Sequence, residues 1–209
     1  MSQIKLTKKD RPVPIDNEIS IPENDEIISI TDPKGIITDA NEVFTRISGY
    51  KAEELIGVSH NVIRHPDMPK IMFKILWDRI KDKENIMAVV KNLAKDGSYY
   101  WVLTDFVTTV DKDRNVLHYT AYRKPINQKV KDAVIPLYKA LCAIEELGGM
   151  ELSERFLTDY FKMLGMTYDE MIEDIVINNC DKAKLQNINK ETGKEKKQGF
   201  FEKFFGVKI

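Results

Sequence analysis

EIISITDPKGIITDA, residues 26–40, reads as two runs of β-branched residues hinged on the tetrad Asp32-Pro33-Lys34-Gly35. Proline at the second position of a four-residue turn and glycine at the fourth favour a tight reversal, so residues 26–39 are predicted to form a hairpin. Beyond it the hydrophobic period changes. In residues 41–49 the apolar side chains Val43, Phe44 and Ile47 share one helical face and Gly49 stops the run. Residues 51–57 add a single turn with the same ending. Residues 58–69 are irregular and hold two prolines. After Pro69 the positions Ile71, Ile75, Trp77 and Ile80, broadened by Met72, Phe73 and Leu76, predict a longer helix. Three β-rich runs follow at 87–93, 98–110 and 115–123, parted by Lys95-Asp96-Gly97 and by residues 111–115. Two strands, several short helices and three strands predict an α+β domain, a five-stranded antiparallel sheet with the short helices on one side, followed by a C-terminal helical extension.

In that extension Val130, Val134, Leu137, Leu141 and Ile144 make a short heptad seam. Pro136 inside it predicts a kink or a later start, and Gly148-Gly149 an end. Leu152, Phe156, Tyr160 and Phe161 mark a second helix that stops at Gly165, and residues 167–170 form a capping-box pattern that opens a third. The expected division is an N-terminal arm or cap over 1–24, the α+β domain over 25–126, an acidic helical extension over 127–180 and a basic tail over 181–209. The tail ends in Phe200, Phe201, Phe204 and Phe205, flanked by Lys196, Lys197 and Lys203. Such a segment suits a membrane surface, a partner groove, or folding back on its own helices.

A formal net charge of -1 gives no general pull toward nucleic acid. Cys142 and Cys180 are too few for a disulfide framework and fit a reducing compartment. The N-terminal stretch has no apolar core of a secretory signal, and no window approaches the length of a membrane span. A soluble, cytoplasmic protein is therefore expected, meeting membrane only indirectly or through its tail. No P-loop, GxGxxG, HExxH or GxSxG occurs, and His60, His65 and His118 lack metal-ligand spacing as a set, so no enzyme is expected.

DPKGIITDAN (32–41), FTRISGYKAEELIG (44–57) and KNLAKDGSYYWV (91–102) resemble the hallmarks of a PAS domain, over about residues 25–126. HNVIRHPDMPKIMFKILWDRIK (60–81) is similar to the PAS domain of bacterial aerotaxis and energy-taxis receptors. That resemblance implies a PAS fold, non-covalently bound FAD, a role as redox or oxygen sensor, and signalling to a partner such as a membrane-bound chemotaxis transducer. It also implies a flavin site at Arg64, His65, Asp67 and Trp77, with Asn61 and Asn92 behind them. The chemistry suits each. Arg64 can pair with pyrophosphate oxygens, and His65 can donate to the same group or to a ribose. Asp67 can accept from ribose or an adenine amine, or cap the following helix. Trp77 can stack on a ring or pack in the core. Asn92 can offer its amide to a ring edge or satisfy a strand end. Residues 61–64 hold no thiol, so the covalent photochemistry of LOV domains is not expected. Three alternatives remain open at this level: a haem sensor with His65 or His60 as axial ligand, a cofactor-free interaction module dimerising through the heptad seam, and a flavoenzyme.

Overall fold

The computed structural model describes residue 6 and residues 10–179. The aromatic patch at 200–205 and Cys180 lie outside them. The elements run β1 (Ile27–Thr31), β2 (Ile37–Ala40), α1 (Glu42–Ser48), α2 (Ala52–Leu55), α3 (Lys70–Lys81), β3 (Ile86–Leu93), β4 (Tyr99–Val110), β5 (Val116–Pro125), α4 (Gln128–Leu164) and α5 (Tyr168–Asn179). The strands make one antiparallel sheet in the order β2-β1-β5-β4-β3.

The hairpin turn forms as its sequence predicts. Asp32 Oδ1 accepts from the backbone N–H of Lys34 (2.8 Å) and Ile36 (2.9 Å), and Gly35 takes a positive φ of 77°. Asn41 caps α1 by accepting from Phe44 N–H at 2.9 Å, and Gly49 ends it in the left-handed region. The segment 58–69, expected to be irregular throughout, contains a 3-10 turn over His60–Ile63. Residues 15–19 of the N-terminal arm lie along the start of β4, with Ile15 and Ile19 donating to the carbonyls of Gly97 and Tyr99.

The seam prediction needs one correction. Asn127 caps Val130 N–H at 3.0 Å, so α4 begins well before Pro136 and holds it as an interior residue. The non-helical residues are Gly148 and Gly149. Gly149 (φ 72°, ψ −172°) sits where essentially only glycine is at ease. Glu170 and Thr167 then cap α5 reciprocally, as the capping box predicts.

Strand alternation gives the sheet two working faces. The short helices α1–α3 cover the inner one. The extension covers part of the outer one and the β3 edge. Tyr138 of α4 stacks on Trp101 of β4 with ring centroids 6.4 Å apart. On edge strand β3, the Tyr138 hydroxyl donates to Val89 O (2.8 Å) and the Tyr168 hydroxyl to Met87 O (2.9 Å). A bare edge invites pairing with another chain, and these two hydroxyls occupy it.

Candidate functional site

Between the inner sheet face and α3 lies a cleft enclosing about 700 Å³, its open mouth included. Its walls are mostly apolar: Phe73, Leu76, Trp77 and Ile80 from α3, and Val90, Phe106 and Tyr119 from the sheet. Trp77 meets Tyr119 edge-on, ring centroids 5.9 Å apart. The hairpin turn presses against it, since a Cβ at Gly35 would come within 2.7 Å of the indole.

The polar groups converge at the deep end. Arg123 on β5 is fully buried, and no carboxylate among the described residues pairs with it. Its Nη2 lies 2.7 Å from His60 Nε2 and donates to Ser29 Oγ at 3.0 Å; Nη1 reaches Ala121 O at 3.4 Å. A guanidinium can only donate, so His60 Nε2 must be unprotonated and its ring proton on Nδ1. Burial, with the Arg123 charge added, pushes the His60 pKa down to about 3, which keeps the imidazole neutral. Burial also lowers the Arg123 pKa to about 10, leaving it a cation at neutral pH. Beside this group, Asn92 Nδ2 and Thr104 Oγ1 are buried with no well-formed hydrogen bond among the described residues. Tyr100 lies near Asn92, but its hydroxyl is equally unsatisfied. Each orphaned polar group costs about 1–3 kcal/mol, a cost that a ligand with polar ring edges relieves.

Of the six residues expected at the site, Asn61, Arg64, Trp77 and Asn92 line the cleft. Asn61 is exposed and bonds Ser59 Oγ. Arg64 stacks over Phe73 (4.1 Å to the ring centroid) and donates to Met68 O at 3.1 Å. His65 and Asp67 lie outside the cleft lining. His65 is buried edge-on to the Tyr99 ring, and its Nδ1 accepts the Asp67 N–H at 3.1 Å. Burial and Lys91 push its pKa down to about 4, so it is neutral. The Asp67 carboxylate instead pairs with Lys91 at 2.7 Å. Nor does Asp67 cap α3: Pro69 holds that position without a side-chain bond, and the acceptor is Glu145 of α4.

Reading the sequence missed Arg123, Ser29 and Thr104, and treated His60 only as a haem candidate. The available signal was alternation: Tyr119, Ala121 and Arg123 fall on one face of β5, and a charge at an inward strand position is rarely idle.

The family model for the PAS fold matches residues 37–123. The chain is 41% identical to the aerotaxis receptor of Escherichia coli (strain K12) over 117 residues, 56% of this chain and 23% of that one. It is 26% identical to the nitrogen fixation regulatory protein of Klebsiella pneumoniae over 48% of this chain and 20% of that one. The matched stretches thus span less than a quarter of either relative. Among solved structures, the light state of the blue-light photoreceptor Aureochrome1 LOV superposes with a TM-score of 0.49 and 18% identity, covering 53% of this chain and 89% of that one.

Proposed function

Residues 37–123 of this chain form a PAS domain similar to that of an aerotaxis receptor, and from that premise we propose a sensor that holds FAD non-covalently and reports its redox state to a signalling partner. The observation that carries the reading is the buried, acid-free Arg123 at the end of an apolar slot, flanked by the orphaned Asn92 and Thr104. A flat heteroaromatic ring suits the apolar wall that α3 presents to the cleft, and its polar edge would answer those three side chains. Arg64, half-buried near the mouth, suits a phosphate. Bound there, a flavin supplies reversible electron transfer with a change of charge at its ring.

The chain's own residues then act as the reader. In the resting arrangement Arg123 spends its donors on His60 Nε2, Ser29 Oγ and a backbone carbonyl. Negative charge in the cleft would compete for the guanidinium and for its bond to His60 Nε2. Burial first, and the Arg123 charge second, hold His60 neutral, so a nearby anion would ease its protonation without removing the cost of burial. The readout would be a change in the hydrogen bonds of Arg123 to His60 and Ser29. This is the work of a signalling module, not of an enzyme. The haem alternative is disfavoured because His60 Nε2 already serves Arg123, and His65 lies outside the cleft.

Partnership with a membrane-bound chemotaxis transducer, and residence in the cytoplasm, follow from the kinship with the aerotaxis receptor and belong to the same proposal. Among the described residues no helix is long and apolar enough to cross a membrane. The test is the absorption spectrum of freshly purified protein from about 300 to 700 nm, before and after dithionite, the window in which flavins and haems absorb. Paired blue bands that bleach on reduction and return in air are expected. A Soret band, or no colour after incubation with FAD, overturns the reading.

A further inference from the structure

The helix that walls the cleft is not capped by its own chain neighbourhood. α3 starts after Pro69, which has no side-chain acceptor to offer. The N–H groups of Lys70 and Ile71 instead donate to Glu145 Oε2 and Oε1, both at 2.8 Å, from α4. Glu145 is only 8% exposed, and a carboxylate at a helix N-terminus is favoured by the helix dipole. Arg64, in the cleft wall, is close enough to feel its charge. Further along α3, Lys74 pairs with Glu154 of α4 (2.9 Å) and Arg79 with Asp169 of α5 (2.8 Å). The Cys142 thiol of α4 donates to Asp67 O, just before α3. Successive turns of the cleft helix are thus tied to the extension.

We infer that Glu145 is a joint between α4 and the cleft helix, so that the state of the cleft and the docking of α4 and α5 form one linked equilibrium. Only the identity of the ligand rests on the FAD reading. A shift of α3 stretches these bonds or carries α4 with it. By linkage, whatever loosens the extension loosens the cleft by the same factor.

The experiment is amide hydrogen exchange in two arms. In the ligand-free protein, Glu145→Gln speeds exchange at Lys70 and Ile71, with Glu145→Ala as the stronger variant. Leu76→Ala, a change in the cleft wall, speeds exchange around residue 145, whereas Ile37→Ala on β2 does so no more than its global cost requires. Equal effects of Leu76→Ala and Ile37→Ala on α4 overturn the inference, whatever the ligand. In the second arm, FAD slows exchange in α4 and α5, and Glu145→Gln weakens FAD binding about tenfold, the scale of a lost cap. Normal FAD binding in Glu145→Gln with unaltered α4 exchange overturns the joint and leaves the flavin reading intact. A protein that shows the ligand-free coupling yet takes no FAD overturns the flavin reading and leaves the joint standing.

Discussion

Arg123 places a full charge in a wall that otherwise offers it only neutral acceptors. Arg123→Gln keeps a donor and removes the charge. It is expected to weaken flavin binding roughly tenfold to a hundredfold, the scale of a charged hydrogen bond, measured by equilibrium titration. In the ligand-free variant the His60 pKa should rise, because the repulsion that helps hold it down is gone, and an imidazole NMR titration reads this directly. A second buried charge sits on the outer sheet face. Asp105 has no ion-pair partner among the described residues and faces Asp169 and Glu173 of α5 across a small pocket. Burial raises its pKa to about 6. The folded state therefore holds that proton more tightly than the unfolded chain, and stability falls as pH rises from about 4 to 6, by about 2–3 kcal/mol in all. Asp105→Asn should remove that slope and stabilise the protein at pH 7.5, as melting curves at several pH values would show. Neither charge was legible in the sequence. Arg64 and Trp77 stand out because they lie in the 60–81 string whose resemblance implies a site. Arg123 hides at a strand end, and only the register that turns it inward shows what it does.

Single elements carry other consequences. Two side-chain hydroxyls cover the Met87–Val89 part of the β3 edge, so Tyr138→Phe and Tyr168→Phe should each cost about 1 kcal/mol for the lost bond, and the double variant should self-associate more readily. Calorimetry and light scattering check both. Gly35→Ala meets two obstacles, a positive φ and the Trp77 ring. It should cost about 1–3 kcal/mol and shift Trp77 fluorescence. The turn, the glycine stop of α1, the start of α3 and the α5 capping box were all readable because their determinants lie within a few residues. The cap of α3 was not, since its acceptor is 75 residues away. The start of α4 was misread for a related reason: Pro136 is a strong local signal, and the Asn127 cap upstream outweighs it.

At the scale of the molecule, the order of strands and short helices was enough to place the chain in its fold class, because alternation and turn chemistry agree along its length. The seating of the extension on α3 and β3 was beyond that reach, since helical periodicity names an apolar face but not what it meets. A chain ending at Ile126 loses the cover over Trp101 and the β3 edge. It should melt lower and run larger than a monomer in size-exclusion chromatography with light scattering. The remote cap also has a bearing on synthesis. When Lys70 leaves the ribosome, the group that completes its helix has yet to be translated. At about 5–20 residues per second the wait is roughly 4–15 s. The sheet walls through Arg123 emerge within that interval, but the nascent cleft stays loose to its end, and any ligand is expected to be held firmly only once Glu145 itself has emerged.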